Sequence, residues 1–204
     1  WDRRVGRASA ARPVVVAAAR LDQAVLDHER AAAAEQRARQ VVAEAAVAVE
    51  VPPVNGTLHL APGSYAGPVT IARPMTLDGG HRATIIGDGR STVISVSGSN
   101  VTLRGLRLSG SGESHDRIDA GILLEGDNHH VEDNEIENVL FGIHLKQVNR
   151  SRISANRISG KDLPLGLRGD AIRLWYSQHN EIDDNRIKRA RDLTFINSAD
   201  NRIS

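Results

Sequence analysis

An all-β solenoid, a right-handed parallel β-helix with an α-helical cap or extension at its N-terminal end, is the fold this chain predicts. Three observations carry it. From Gly121 to the last residue one unit recurs, its copies starting at residues 121, 142, 171 and 193. Within each copy apolar residues fall at every second position, as in Ile122 and Leu124 and again in Val131 and Ile136, which is the period of a strand and not of a helix. The stretches between these strands are too brief for a helical return segment. Units of this kind cannot bury their apolar sides alone, so they stack and each rung covers the next.

The elements follow in order. Residues 1–54 form a first unit, rich between about 15 and 48 in Ala, Arg, Glu and Gln, all good helix formers, with Val15, Leu21, Val25 and Leu26 as a weak apolar face. One or two helices are expected there, either capping the open end of the solenoid or binding a partner. Pro52-Pro53 ends the helical pattern. Residues 55–204 form the β-helix, expected to be incomplete at its C-terminal end because the chain stops inside a rung. Thr57 to Gly89 holds short strands separated by Pro62-Gly63, Gly67-Pro68, Pro74 and Gly79-Gly80, the punctuation of irregular first rungs. From about Thr92 the rungs become regular. Stacking places Ile122, Ile143 and Ile172 in one internal row and Ile136, Ile158 and Ile187 in another. Asn134, Asn156 and Asn185 form a column at a corner, where Asn tolerates left-handed backbone and its amide can bond the rungs on either side. Leu106 holds that place one rung earlier.

Composition narrows the function. Basic and acidic residues number 26 and 25, so the global field gives no reason to expect a nucleic-acid partner. With no cysteine, disulfides, thiolate metal sites and thiol nucleophiles are excluded. No window reaches the roughly twenty apolar residues of a membrane span. Arg12 to Ala19 sets basic residues before a short apolar run, as a degraded signal remnant would, but no intact signal peptide is visible. Aromatic residues make up 3% of the chain, which suits a thin aliphatic core.

Two rungs carry insertions, one from Leu108 to Gly121 and one from Ile158 to Ala171. Both leave at the same corner, one rung apart, so their roots should lie about 10 Å from each other. Loops gathered on one side of a rigid scaffold are where function concentrates. The second loop offers Leu163, Leu165 and Leu167 as an exposed apolar group, and the first offers His115. Trp175, Tyr176 and Phe195 are too bulky for a thin core and are expected at its edge or outside it, as partner-facing anchors or as edge packing. An acidic edge of Glu113, Asp116, Asp119, Asp170 and Asp192 is the alternative site. Asp170 and Asp192 are read at the same point of consecutive rungs, each two residues before the inward Ile172 or Thr194. Such a pair could work as acid and base, or each could cap its own turn beside Arg168 and Arg191. His144 is placed outward in a column with Leu123, Arg173 and Phe195, and His129-His130 in a solvated turn. Arg107, Arg157 and Arg186 recur on an outward column interrupted by Glu135, which suits an acidic surface or a polyanion, or is simply a solvated face. No three soft ligands share neighbouring rungs, so no metal site is expected, and the scaffold reading assigns no catalytic residue.

With these residues laid out, the sequence resembles the NosD family of periplasmic β-helix proteins. The likeness covers residues 56–204. It runs through Gly56-Thr57-Leu58-His59-Leu60-Ala61-Pro62-Gly63, Pro74-Met75-Thr76-Leu77-Asp78-Gly79 and Val101-Thr102-Leu103-Arg104-Gly105-Leu106. It is sharpest at Leu140-Phe141-Gly142-Ile143-His144-Leu145 and Gly169-Asp170-Ala171-Ile172-Arg173-Leu174-Trp175. The resemblance implies a periplasmic, non-catalytic scaffold that assists maturation of a copper enzyme through protein contacts. Its implied partners are an ABC transporter, a copper chaperone or the client enzyme. Copper as a cofactor is implied by the resemblance alone, since cuprous ion favours Cys, Met and His and the chain has no Cys and one Met, Met75. Two other classes stand beside this one: a carbohydrate-active β-helix enzyme using the acidic edge, and a structural accessory subunit of a larger complex. Carboxylates converging in a groove would mark the enzyme; carboxylates spread and paired with arginine would mark the scaffold.

Overall fold

The protein, a computed structural model, is described over residues 54–204. The expected helical segment of residues 1–54 lies outside the described residues except for its last position. The first rung consists of β1 (Thr57–His59), β2 (Gly63–Ala66) and β3 (Val69–Ile71). The second has β4 (Met75–Ile86), long enough to turn a corner, and β5 (Ile94–Val96). The third has β6 (Val101–Ser109), also bent, and β7 (Ala120–Leu124). Then come β8 (His130–Glu132), β9 (Glu135–Val139) and β10 (Phe141–Lys146), followed by β11 (Arg152–Ser154), β12 (Arg157–Gly160) and β13 (Ile172–Trp175). The sixth rung is β14 (Glu181–Asp183), β15 (Arg186–Lys188) and β16 (Leu193–Ile196), and β17 (Arg202–Ile203) opens the next.

Every pairing in these ladders is parallel, and the rungs present three faces. On the first face the inward row is Leu58, Leu77, Leu103, Val131, Ile153, Ile182 and Ile203. On the second it is Tyr65, Ile85, Leu108, Ile136, Ile158 and Ile187. The third face carries two rows. One is Val69, Ile94, Ile122, Ile143, Ile172 and Leu193; the other is Ile71, Val96, Leu124, Leu145, Leu174 and Phe195. Both predicted isoleucine rows are present, and the central rungs bury theirs almost completely. Like stacks on like because a parallel register repeats the same inward position about every 4.8 Å.

The corner between the first two faces differs from expectation in one detail. The left-handed backbone falls on the residue before each member of the column, at Asp133, Ala155 and Asp184 before the asparagines and at Gly105 before Leu106. That turn aims the asparagine inward, where Asn134 and Asn156 are fully buried. Each side chain then serves two rungs. Asn134 accepts from Leu106 N–H at 3.0 Å and donates to Leu103 O at 3.0 Å, and Asn156 accepts from Asn134 N–H at 3.1 Å and donates to Val131 O at 2.8 Å. The side chains also bond each other down the column, so buried backbone groups at the corner stay satisfied.

A second corner ladder consists of unlike residues. The Val101 N–H meets His129 Nδ1 at 3.4 Å, the His129 N–H donates to Ser151 Oγ at 2.8 Å, and the Ser151 N–H donates to Asn180 Oδ1 at 2.9 Å. His129 is therefore buried, not solvated as expected. With Nδ1 accepting, the proton sits on Nε2, which lies 3.2 Å from Glu125 O. Burial holds this imidazole below its ordinary pKa and keeps it neutral.

Candidate functional site

The two inserted loops leave the corner between the second and third faces, at the third and fifth rungs. The uninserted rung between them turns there through Leu140 alone. The first loop is folded by Asp119, whose side chain is almost fully buried. Its carboxylate accepts from Ser114 N–H at 2.8 Å and from Arg117 Nη2 at 3.0 Å, and Arg117 also donates to Arg90 O at 2.9 Å. Gly112 is required here, because a Cβ would overlap the Asp119 carboxylate and the Arg90 backbone. Ser111 Oγ, also buried, accepts from Leu140 N–H at 2.8 Å and ties the loop's root to the next rung.

The second loop contains a single 3-10 turn, Leu165–Leu167. Arg168 Nε donates to Leu163 O at 2.7 Å across its base. The two loops touch: Lys161 Nζ lies 3.1 Å from Glu113 Oε1. Between them sits a small apolar cluster outside the solenoid core, formed by Ala120, Leu140 and Phe141 with Ile118 and Leu163 packed against it. His115 meets the Phe141 ring edge-on at 5.6 Å. Leu165 and Leu167 are left out of the cluster, 62% and 55% exposed. Of the three leucines expected to be exposed together, Leu163 instead turns inward, because Phe141 offers it a surface.

The root of the second loop is an ion network. The Asp170 carboxylate is fully buried and accepts from Arg173 Nη1 at 3.1 Å and Arg191 Nη2 at 2.9 Å. Here the sequence register was one residue off. Ile172 pairs with Leu193 and Leu174 with Phe195, so the inward residues are Leu193 and Phe195 rather than Thr194. Asp170 is consequently level with Arg191, and Asp192 is exposed with Arg191 Nε 3.4 Å away. The acidic edge does not converge. Glu113, Asp119, Asp170 and Asp192 each face a lysine or arginine, and Asp116 is exposed without an ion pair among the described residues.

The aromatic residues divide. Trp175 and Tyr176 are exposed on and beside the third face, their rings 5.7 Å apart, with Arg173 6.0 Å from the Trp175 ring centre. Phe195 continues an internal row and is half-buried against the core, so it is not an outward residue. The outward row beside Trp175 is Leu123, His144, Arg173 and Thr194. His144 is nonetheless only 6% exposed. Its pKa is lowered to about 4, first by burial and then by the Arg173 and Lys146 charges, with Glu125 and Asp170 opposing. Its Nε2 and the Nε of Arg173 are buried without a partner among the described residues.

The pair Gly79-Gly80 marks a turn in the sequence, but no motif marks the cleft beside it. The turn Gly79–Arg82 interrupts the register of β4 against β6, and its His81 Nε2 reaches Asp133 Oδ2 at 3.2 Å, two rungs away. Beneath it, where Gly105 has no side chain, lies an open cleft of about 480 Å³ whose lining includes Asp78, Arg104 and Glu132. Its acids are largely engaged: Asp78 pairs with Arg104 at 2.9 Å, and a hydrogen bond from Gly80 N–H, then Arg104, lowers its pKa.

Parallel three-faced rungs, aliphatic internal rows and two loops gathered on one edge define the class, a parallel β-helix. Residues 84–204 match the family model described as right handed beta helix region, and the chain belongs to that family. It is also 27% identical over 141 residues to the "Probable ABC transporter binding protein NosD" of Pseudomonas aeruginosa, a match covering 68% of this chain and 33% of that protein. The chain thus spans about a third of that relative's length. A solved structure of a candidate glycosyl hydrolase from Parabacteroides merdae superposes with a TM-score of 0.60, covering 82% of this chain and 86% of that one at 12% identity, a likeness of fold alone.

Proposed function

We propose that the protein is a non-catalytic β-helix scaffold that acts through protein contacts, with the inserted-loop edge as its docking surface. The observation that carries this reading is the contrast on that edge: its acids other than Asp116 are tied to cations, while Leu165 and Leu167 stand exposed on a braced loop. Hydrolysis of a sugar would need two carboxylates facing one another across a groove. His115, set against Phe141 between the loops, would extend the contact, and Trp175 and Tyr176, exposed on and beside the third face, would add to it. The likeness to the Pseudomonas protein, named for binding an ABC transporter, supports a transporter as partner, and a chaperone or a client copper enzyme completes the same reading. A periplasmic place and a part in copper-enzyme maturation belong to the same reading. Among the described residues no helix is long and apolar enough to cross a membrane.

The residues present do not fit a copper store. Met75 is buried in the core, both ring nitrogens of His129 are engaged, and among the described residues no three His, Asp or Glu side chains converge as a ligand set. The docking role is tested by replacing Leu165 and Leu167 with serine, which touches no rung and should leave the melting temperature within about 2 °C. Tagged chain is then captured from the native organism and its co-purifying proteins identified by mass spectrometry. Loss of a specific partner that the wild type retains is the expected result. Equal recovery of that partner by the variant would remove the loop edge as the docking surface.

A further inference from the structure

Along its outward columns this solenoid follows a local charge rule: a cation on one rung is met by an acid on a neighbouring rung or beside it. Arg104 meets Asp78, Arg107 meets Glu135, Lys146 meets Glu125 and Arg152 meets Asp183. The second face breaks the rule once. Arg157 on β12 and Arg186 on β15 are in direct register, with Lys188 two residues along the same strand and Arg189 at its end. All four side chains are exposed, and among the described residues none enters an ion pair. Glu135, the acid next in the column to Arg157, is taken by Arg107 at 3.3 Å. Like charges about 4.8 Å apart on one face cost stability, so a column that tolerates them is a place to look for a partner.

We propose that this face of β12 and β15 binds an acidic protein segment in extended conformation, at a surface separate from the loop edge. The spacing selects the occupant. Arg186 and Lys188 project from the same side of a strand about 6.6 Å apart, which is the repeat of alternate side chains on an extended chain. A segment laid along the rungs with acids at every second position therefore meets both, while Arg157 reaches the same carboxylates from the adjoining rung. The strip is narrow: the preceding rung presents Glu135 and Glu137 on the same face, which a planar anionic membrane would have to approach. No aromatic ring stands in either column for a nucleobase to stack on.

The test uses the 204-residue chain and a fluorescein-labelled peptide of about eight residues with glutamate at every second position, read by anisotropy at about 20 mM salt so that screening is weak. A peptide of the same composition with its glutamates contiguous, phosphatidylserine vesicles and an oligothymidylate are run beside it. Wild type should bind the alternating peptide more tightly than the contiguous one. The Arg157→Gln/Arg186→Gln variant should lose about fivefold in affinity, as two exposed charge pairs would give. An Arg82→Gln/Arg90→Gln variant, which loses the same net charge elsewhere on the surface, should stay within about twofold. Equal loss in both double variants, equal binding of the two peptides, or saturation by vesicles or oligothymidylate without the peptide would each overturn the proposal.

Discussion

His144 shows how one residue acquires a property its sequence neighbours do not announce. In the repeat it occupies an outward position, level with Leu123 and Arg173, yet it is buried and neutral, facing Arg173, Lys146, Glu125 and Asp170. Above pH 6.5 the imidazole is uncharged in folded and unfolded chains alike and contributes no pH dependence. Between 6.5 and about 4 the unfolded chain takes up a proton that the folded chain refuses, so stability falls as pH falls. Below about 4 both states carry the proton and the loss is complete, on the order of 3 kcal/mol. Asp78 and Asp183, whose pKa values are lowered by hydrogen bonds and arginines, add their losses only below 3.8. Urea unfolding of wild type and His144→Gln from pH 7.5 to 4.5 should therefore converge toward acid, the variant showing the shallower slope. Parallel slopes would mean that His144 is already solvated. His129 was equally hidden in the sequence, because its ladder partners Ser151 and Asn180 share its role and not its chemistry.

At the scale of elements, the loops and rows were legible wherever a period could be counted. Ile122, Ile143 and Ile172 stack as the alternation requires, and both insertions leave one corner because both begin at the same point of their rungs. The register of β16 was not legible to one residue: Leu193-Thr194-Phe195-Ile196 has apolar residues on both sides of its alternation, so either register satisfies the pattern. What selects the observed one is tertiary, with Leu193 and Phe195 stacking on Ile172 and Leu174 and Arg191 reaching Asp170. Leu163 was ambiguous for a similar reason, since the surface it packs on belongs to another rung. Asp170 holds this region together, as a buried carboxylate between two arginines at the root of the second loop. Asp170→Ala would strand the partly buried Arg173 and should cost about 3 to 5 kcal/mol by chemical denaturation. A cost below about 1 kcal/mol would show that the network is solvated.

For the whole molecule, the division of labour follows from the physics of a parallel solenoid. Over residues 55–204, repeated inward positions and corner ladders of Asn, Ser and His stack the rungs so that their faces are set by register. The contacts proposed above fall where the chain departs from the repeat: at the loops inserted at one corner, and on a basic strip where the outward charge rule lapses. The central claim is that the loop edge meets a partner while the rungs only position it. Hydrogen exchange, read by mass spectrometry on the chain alone and with its co-purified partner, tests this most directly. The rung amides should exchange slowly in both samples, and peptides spanning residues 110–119 and 161–171 should exchange fast in the free chain and slow on binding. Binding that leaves both loops unprotected and instead shields the cleft around Gly105 or the first face would contradict the account.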